Sequence, residues 1–327
     1  MLLSKILFPT ESDSLVRNSF LTAVGTVFDS FVAYFSLYAL FTFVIYIKQL
    51  NNCNKKKTST NTSNPSNEAQ VAWTSRIISV VNAVCCVYGA YQMVFSSEVG
   101  RSALHRPVVA VFSSAYASEG IPGDSRSFHL ALFAGYIAYD LVLCLRHECL
   151  RDAATLLHHA VVLVALLVSL KFDLITLYIA ALMFNEASTP FLNFRYFLYK
   201  AGLEDSLAYL CNGVGLFLSF FVFRALLITG IVIHIAYAWH HVGFQQGYIY
   251  SEPAWRVAVA IFLTFLASLH WLINIYWFSI IFNKTLEALT IPYVKNKDVC
   301  NGNCGCCNKS QPMKSSADFS FCNKKRL

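Results

Sequence analysis

The sequence predicts an all-α, multi-pass transmembrane helical bundle of about seven spans, and three observations carry that expectation. Of 327 residues, 56% are hydrophobic and only 13% are charged, whereas a soluble domain carries about a quarter charged residues. The apolar residues gather in runs near the roughly 20 residues that a spanning helix needs. The basic residues lie between those runs and fall unequally on the two sides, as the positive-inside rule describes. The net charge of +7 is therefore a topology signal. No nucleic-acid partner is expected.

In chain order, the opening MLLSKILF is too short an apolar run for a secretory signal and is cut by Pro9, Thr10 and Glu11. Candidate spans follow at about 24–47, 77–95, 128–145, 153–170, 174–194, 209–235 and 256–282. The fifth is the least regular, because polar residues interrupt its second half. No repeat of solenoid period is visible. Residues 51–70 are polar and low in complexity, the composition of a disordered linker. The segment 96–127 carries Gly100, Pro107, Gly120, Pro122 and Gly123 and reads as a loop. Three regions result: 1–72, with a lumenal N-terminus, the first span and the basic linker; 73–283, a six-span core; and 284–327, a cytosolic cysteine-rich tail.

A lumenal N-terminus and seven spans leave the C-terminus cytosolic. Seventeen basic residues then lie on the cytosolic side, against seven on the lumenal side. The sequons at Asn61, Asn283 and Asn308 all fall in the cytosol, so none is expected to carry glycan. The chain ends Lys324-Lys325-Arg326-Leu327. Lys324 and Lys325 resemble a dilysine signal, which would engage coat machinery and hold the protein in the endoplasmic reticulum membrane while it cycles through the Golgi.

The polar groups inside the spans are the candidate site. A charge at mid-membrane costs a few kcal/mol even on the milder scales, so such residues pair or face a wetted interior. Within predicted spans stand Asp140, His158, His159, Glu186, Arg224, His234 and His270. Arg224 can neutralise either Asp140 or Glu186. His158 and His159 are about 100° apart on a helix, so one faces a cavity while its neighbour bonds elsewhere. The fourth and fifth spans form a hairpin that brings His159 and Glu186 to similar depth. Pro190 removes a backbone donor one turn after Glu186, which would free carbonyls for a polar ligand. Imidazole, carboxylate and guanidinium together suit acid–base work on a lipid amide, ester or thioester, and equally suit recognition of a headgroup. A hydrogen-bonded cluster that only holds the helices together is the plainer reading. His158, His159, Glu186 and Asp140 are the candidate catalytic residues; Asn185, Ser188, Thr189, Asn193, Arg195 and Arg224 are the candidate ligand-binding residues.

Metal is not expected. The sequence has no His-x-x-His or His-x-x-x-His pair of the kind that di-iron membrane enzymes use. Trp239, His240 and His241 with Tyr237 and Tyr248 read as an interfacial belt. The tail cluster Cys300, Cys304, Cys306 and Cys307 leaves three readings open: a thiolate zinc site, reversible palmitoylation, or no role.

Several of these residues carry a resemblance. Gly135-Tyr136-x-x-Tyr139-Asp140, the His158-His159 pair, Glu186-x-Ser188-Thr189-Pro190-Phe191-x-Asn193-x-Arg195 and Asn274-Ile275-Tyr276-Trp277-Phe278 together resemble the TLC-domain family from about Trp73 to Phe282. That family includes translocation-associated membrane proteins, ceramide synthases and a ceroid lipofuscinosis protein. The resemblance implies a bundle around a membrane-embedded lipid cavity lined by the paired histidines. Ceramide synthases carry His-Asp, and a further Asp three positions on, where this chain has Asn185-Glu186 and Thr189. The Ser-Thr-Pro-Phe run is instead similar to the TLC-domain-containing and ceroid-lipofuscinosis branches.

Three functions follow as expectations. The first is an endoplasmic-reticulum protein that binds or senses long-chain lipids in membrane lipid homeostasis. The second is an N-acyltransferase with acyl-CoA as co-substrate, using His158 or His159 as base or acyl acceptor and Glu186 to orient it. The third is a cargo receptor between the endoplasmic reticulum and the Golgi.

Overall fold

A computed structural model describes residues 14–55, 67–96, 125–172, 174–245 and 247–290. The tail cysteines, Lys324 and Lys325, the sequons at Asn61 and Asn308 and most of the loop 96–127 lie outside those residues. Every regular element among the described residues is helical. They are α1 (Ser14–Lys55), α2 (Asn67–Tyr91), α3 (Ser125–Arg146), α4 (Ala153–Phe172), α5 (Thr176–Leu182), α6 (Thr189–Lys200), α7 (Leu207–Ser219), α8 (Leu227–Ala238), α9 (Tyr248–Ser251) and α10 (Ala254–Thr290). The chain has the all-α, multi-pass bundle expected.

Among the described residues, six helical stretches are long and apolar enough to cross a membrane: Leu21–Ile45, Glu68–Ser96, Ser127–Arg146, Ala153–Phe172, Leu207–Gln245 and Ala254–Glu287. The fifth expected span, 174–194, is not a single apolar helix. It divides into α5, a 3₁₀ segment Met183–Ser188 and α6. Pro190 supplies the reason. It has no N–H for the carbonyl of Glu186, and its ring crowds that carbonyl. The Glu186 carbonyl accepts instead from the N–H of Thr189, only three residues on. The linker reading also shifts, since α1 runs to Lys55 and α2 begins at Asn67, so both ends of the polar stretch are helical.

The helices pack around a main core, with a second, smaller cluster at Leu216, Phe220 and Ile281. α1 lies against α3, and the contact is close because position 135 has no side chain. A Cβ there would sit 2.5 Å from Ser30 and 2.6 Å from the Val27 carbonyl. Ser30 Oγ donates to the Leu132 carbonyl at 2.8 Å across this seam. Tyr34, Tyr136 and Tyr139 stack nearby, and Tyr34 donates to Asn82 Oδ1 at 3.2 Å. α3 packs on α4 and α4 on α10, while α2 packs on the 3₁₀ segment and α6.

A second irregularity faces the first. Between α7 and α8 the chain makes a π-helical turn, Phe220–Leu226, that contains Arg224. Turns of this kind recur at functional positions. The turn packs directly against Met183–Ser188. Trp239, expected in a surface belt, instead joins the core edge and donates from Nε1 to Thr264 Oγ1 at 2.9 Å.

Candidate functional site

The cavity at the centre is built from three apolar stripes. α4 contributes His158, Val161, Val162, Ala165 and Leu166; the fifth segment contributes Ile175, Tyr178, Ile179, Leu182 and Met183; α10 contributes Leu263, Leu266, Ala267 and His270. Each set follows the three- and four-residue spacing of one helix face. The empty space between these stripes, open solvent at the mouth included, is about 660 Å³. The α4 stripe runs nine residues, from His158 to Leu166, a rise of about 12 Å along the helix. Because neighbouring helices run in opposite directions, each stripe's polar residues meet at one end: His158, Asn185, Glu186, Arg224 and His270 all line it.

Arg224 organises that end. It is 7% exposed, and each of its nitrogens donates. Nε donates to the Asn185 carbonyl at 3.1 Å and to Ser188 Oγ at 2.8 Å. Nη1 donates to Asn274 Oδ1 at 3.2 Å, and Nη2 to Glu186 Oε1 at 3.4 Å and Thr189 Oγ1 at 3.3 Å. Thr189 Oγ1 in turn donates to Glu186 Oε2 at 2.8 Å. The two irregular segments thus supply each other's missing partners, the condition under which non-helical backbone is tolerated at membrane depth. The carbonyl of Asn185 is already bonded by Arg224 and Ser188, so it is not free for a ligand.

The paired histidines diverge. His158 lines the cavity and stacks on His270, with ring centroids 5.0 Å apart and planes 28° apart; Trp277 covers it at 5.0 Å. His159 turns to α3, where Nε2 lies 3.4 Å from Asp140 Oδ2. Asp140 and His159 are absent from the cavity lining. Asp140, Cys144 and His159 also bring one potential metal-ligand atom each within 4.8 Å of one another, one donor short of a closed structural zinc site.

Two candidates lie elsewhere. Asn193 accepts from Arg76 Nη1 at 3.4 Å, against α2. The Arg195 guanidinium sits 4.0 Å over the Tyr209 ring, against α7. Two residues outside the expected set belong to the cluster. Asn185 Nδ2 and Asn274 Nδ2 both lie 3.3 Å from His270 Nε2. The sequence does hold a signal for them, since His270 and Asn274 are polar residues four apart in an apolar run. At the far end, Tyr178 bonds to His234 Nδ1.

Fold and site together define an all-α membrane bundle enclosing an apolar hollow with a hydrogen-bonded polar end. Residues 72–283 match the TLC domain, and the chain belongs to the TLC-domain family. It is 25% identical over 196 residues to TLC domain-containing protein 4 of Xenopus tropicalis, covering 59% of this chain and 70% of the relative. TLC domain-containing protein 4-A of Xenopus laevis matches with the same identity and extent. These relatives belong to the TLC-domain-containing branch, as the Ser-Thr-Pro-Phe run leads one to expect. No solved structure matches the chain. The protein is thus a multi-pass membrane protein of a family linked to lipid metabolism.

Proposed function

We propose that this protein binds or senses long-chain lipids in the membrane of the endoplasmic reticulum and acts in membrane lipid homeostasis. One observation carries the reading: three aliphatic helix stripes run to a single polar end at His158, Asn185, Glu186, Arg224 and His270. That is the shape of an apolar tail with a headgroup. The compartment rests on Lys324 and Lys325 and on a cytosolic C-terminus, supported by the distribution of basic residues. Full-length protein purified in mild detergent should retain a long-chain lipid that mass spectrometry can identify. Deletion in cells should change membrane lipid composition. Protein that emerges free of lipid, with no change on deletion, would end the proposal.

A second reading, acyl transfer, is supported by His158, which lines the cavity and whose Nδ1 has no hydrogen-bond partner. It lacks a carboxylate behind that ring, because Glu186 bonds Arg224 and Thr189. Labelled acyl-CoA with sphinganine should yield ceramide only under this reading. Cargo export rests on the tail alone, and substitution of Lys324 and Lys325 tests the address.

A further inference from the structure

Building on the lipid-binding reading, we infer that the cavity selects chains with an uncharged, hydrogen-bonding headgroup, a hydroxyl or an amide, over ionised carboxylates and amines. The argument begins with charge. Among the residues lining the cavity, the charged ones are Glu186 and Arg224. They oppose each other at 3.4 Å, and both are largely buried. An anionic headgroup would place a second negative charge beside Glu186 with one arginine between them. A cationic headgroup would set a second positive charge beside Arg224. Neither arrangement leaves the buried charges balanced.

The remaining valences are neutral, and their polarity can be read. Arginine only donates, so the Arg224 bond fixes Oδ1 as the Asn274 atom that accepts. Asn274 Nδ2 then faces His270 Nε2, which must be the accepting nitrogen. The ring proton therefore sits on Nδ1, and that atom is buried with no hydrogen-bond partner. Asn185 directs its Nδ2 to the same Nε2, leaving Oδ1 buried and without a partner. The polar end thus holds three polar atoms without partners, His158 Nδ1, His270 Nδ1 and Asn185 Oδ1; of these His270 Nδ1–H donates and Asn185 Oδ1 accepts. A hydroxyl or an amide both accepts and donates, and so matches both.

The test uses full-length protein in mild detergent and four probes with one C18 chain: oleyl alcohol, oleamide, oleic acid and oleylamine. At about pH 8 the last two are ionised in water, given reference pKa values of about 4.3 and 10.4 for such groups. Binding is read by native mass spectrometry and by competition. The alcohol and amide should bind at least tenfold more tightly than the acid and amine. Equal or tighter binding of an ionised probe overturns the headgroup inference while leaving the lipid cavity intact. Failure of all four to bind overturns the lipid reading, and this inference with it. Glu186→Gln leaves Arg224 without a counter-charge, so the ratio of oleic acid to oleyl alcohol binding should rise at least tenfold. An unchanged preference in a variant that still binds oleyl alcohol overturns the charge argument. If the variant does not fold, the wild-type panel decides alone.

Discussion

The two faces of α4 treat adjacent histidines differently. On one face His159 meets a carboxylate, Asp140, and is absent from the cavity lining. On the other His158 lines the cavity and packs against the rings of His270 and Trp277. A general base works best with a partner that orients its ring and a substrate within reach. Here those two conditions are divided between neighbours. The difference teaches that adjacent histidines on one helix serve as two units, one bracing α3 against α4 and one facing the ligand space.

The strongest way to break this contrast is on the cavity side. Arg224→Met leaves Glu186 buried without its counter-charge and removes the partners of Asn185, Ser188, Thr189 and Asn274. Loss of one member of a buried pair costs about 3–5 kcal/mol, read by unfolding in detergent. Combining it with Glu186→Gln should recover part of that loss. At the α1–α3 seam, Gly135→Ala should cost about 1–3 kcal/mol, because the added methyl meets the Val27 carbonyl as well as the Ser30 side chain, and the backbone cannot swing aside. Asp140→Asn should cost about 1 kcal/mol, the net worth of a typical hydrogen bond, with lipid retention unchanged. The sharpest comparison is read in binding and not in stability. His158→Ala should weaken retention of the co-purified lipid about tenfold, or about 1.4 kcal/mol, while His159→Ala should alter it less than threefold. Equal effects would show that the two faces are not separate.

Much of the architecture was readable from composition. Apolar runs and a deficit of charge imply membrane helices irrespective of how they pack. The break in the fifth span was partly legible, because Pro190 and the polar run at Asn185–Thr189 conflict with a continuous apolar helix. What the break does was not. Freed carbonyls looked available to a ligand, yet the Asn185 carbonyl is held by an arginine 39 residues away. Asn193 and Arg195 sit in the same motif as Glu186, but about two and two and a half turns further on they face α2 and α7. Motif membership describes spacing along a chain, whereas a site depends on which way each turn points.

By itself the sequence determined that the chain is an all-α membrane bundle with polar groups at depth, because hydrophobic burial and backbone satisfaction are local demands. Only the tertiary structure decided how those groups are shared out. Arg224 takes Glu186 rather than Asp140, and His270 and Asn274, some 85 residues beyond Asn185, complete the polar end. Pairing across a bundle depends on distances between helices, and those are set by packing contacts such as the missing side chain at Gly135. No periodicity along one helix records them.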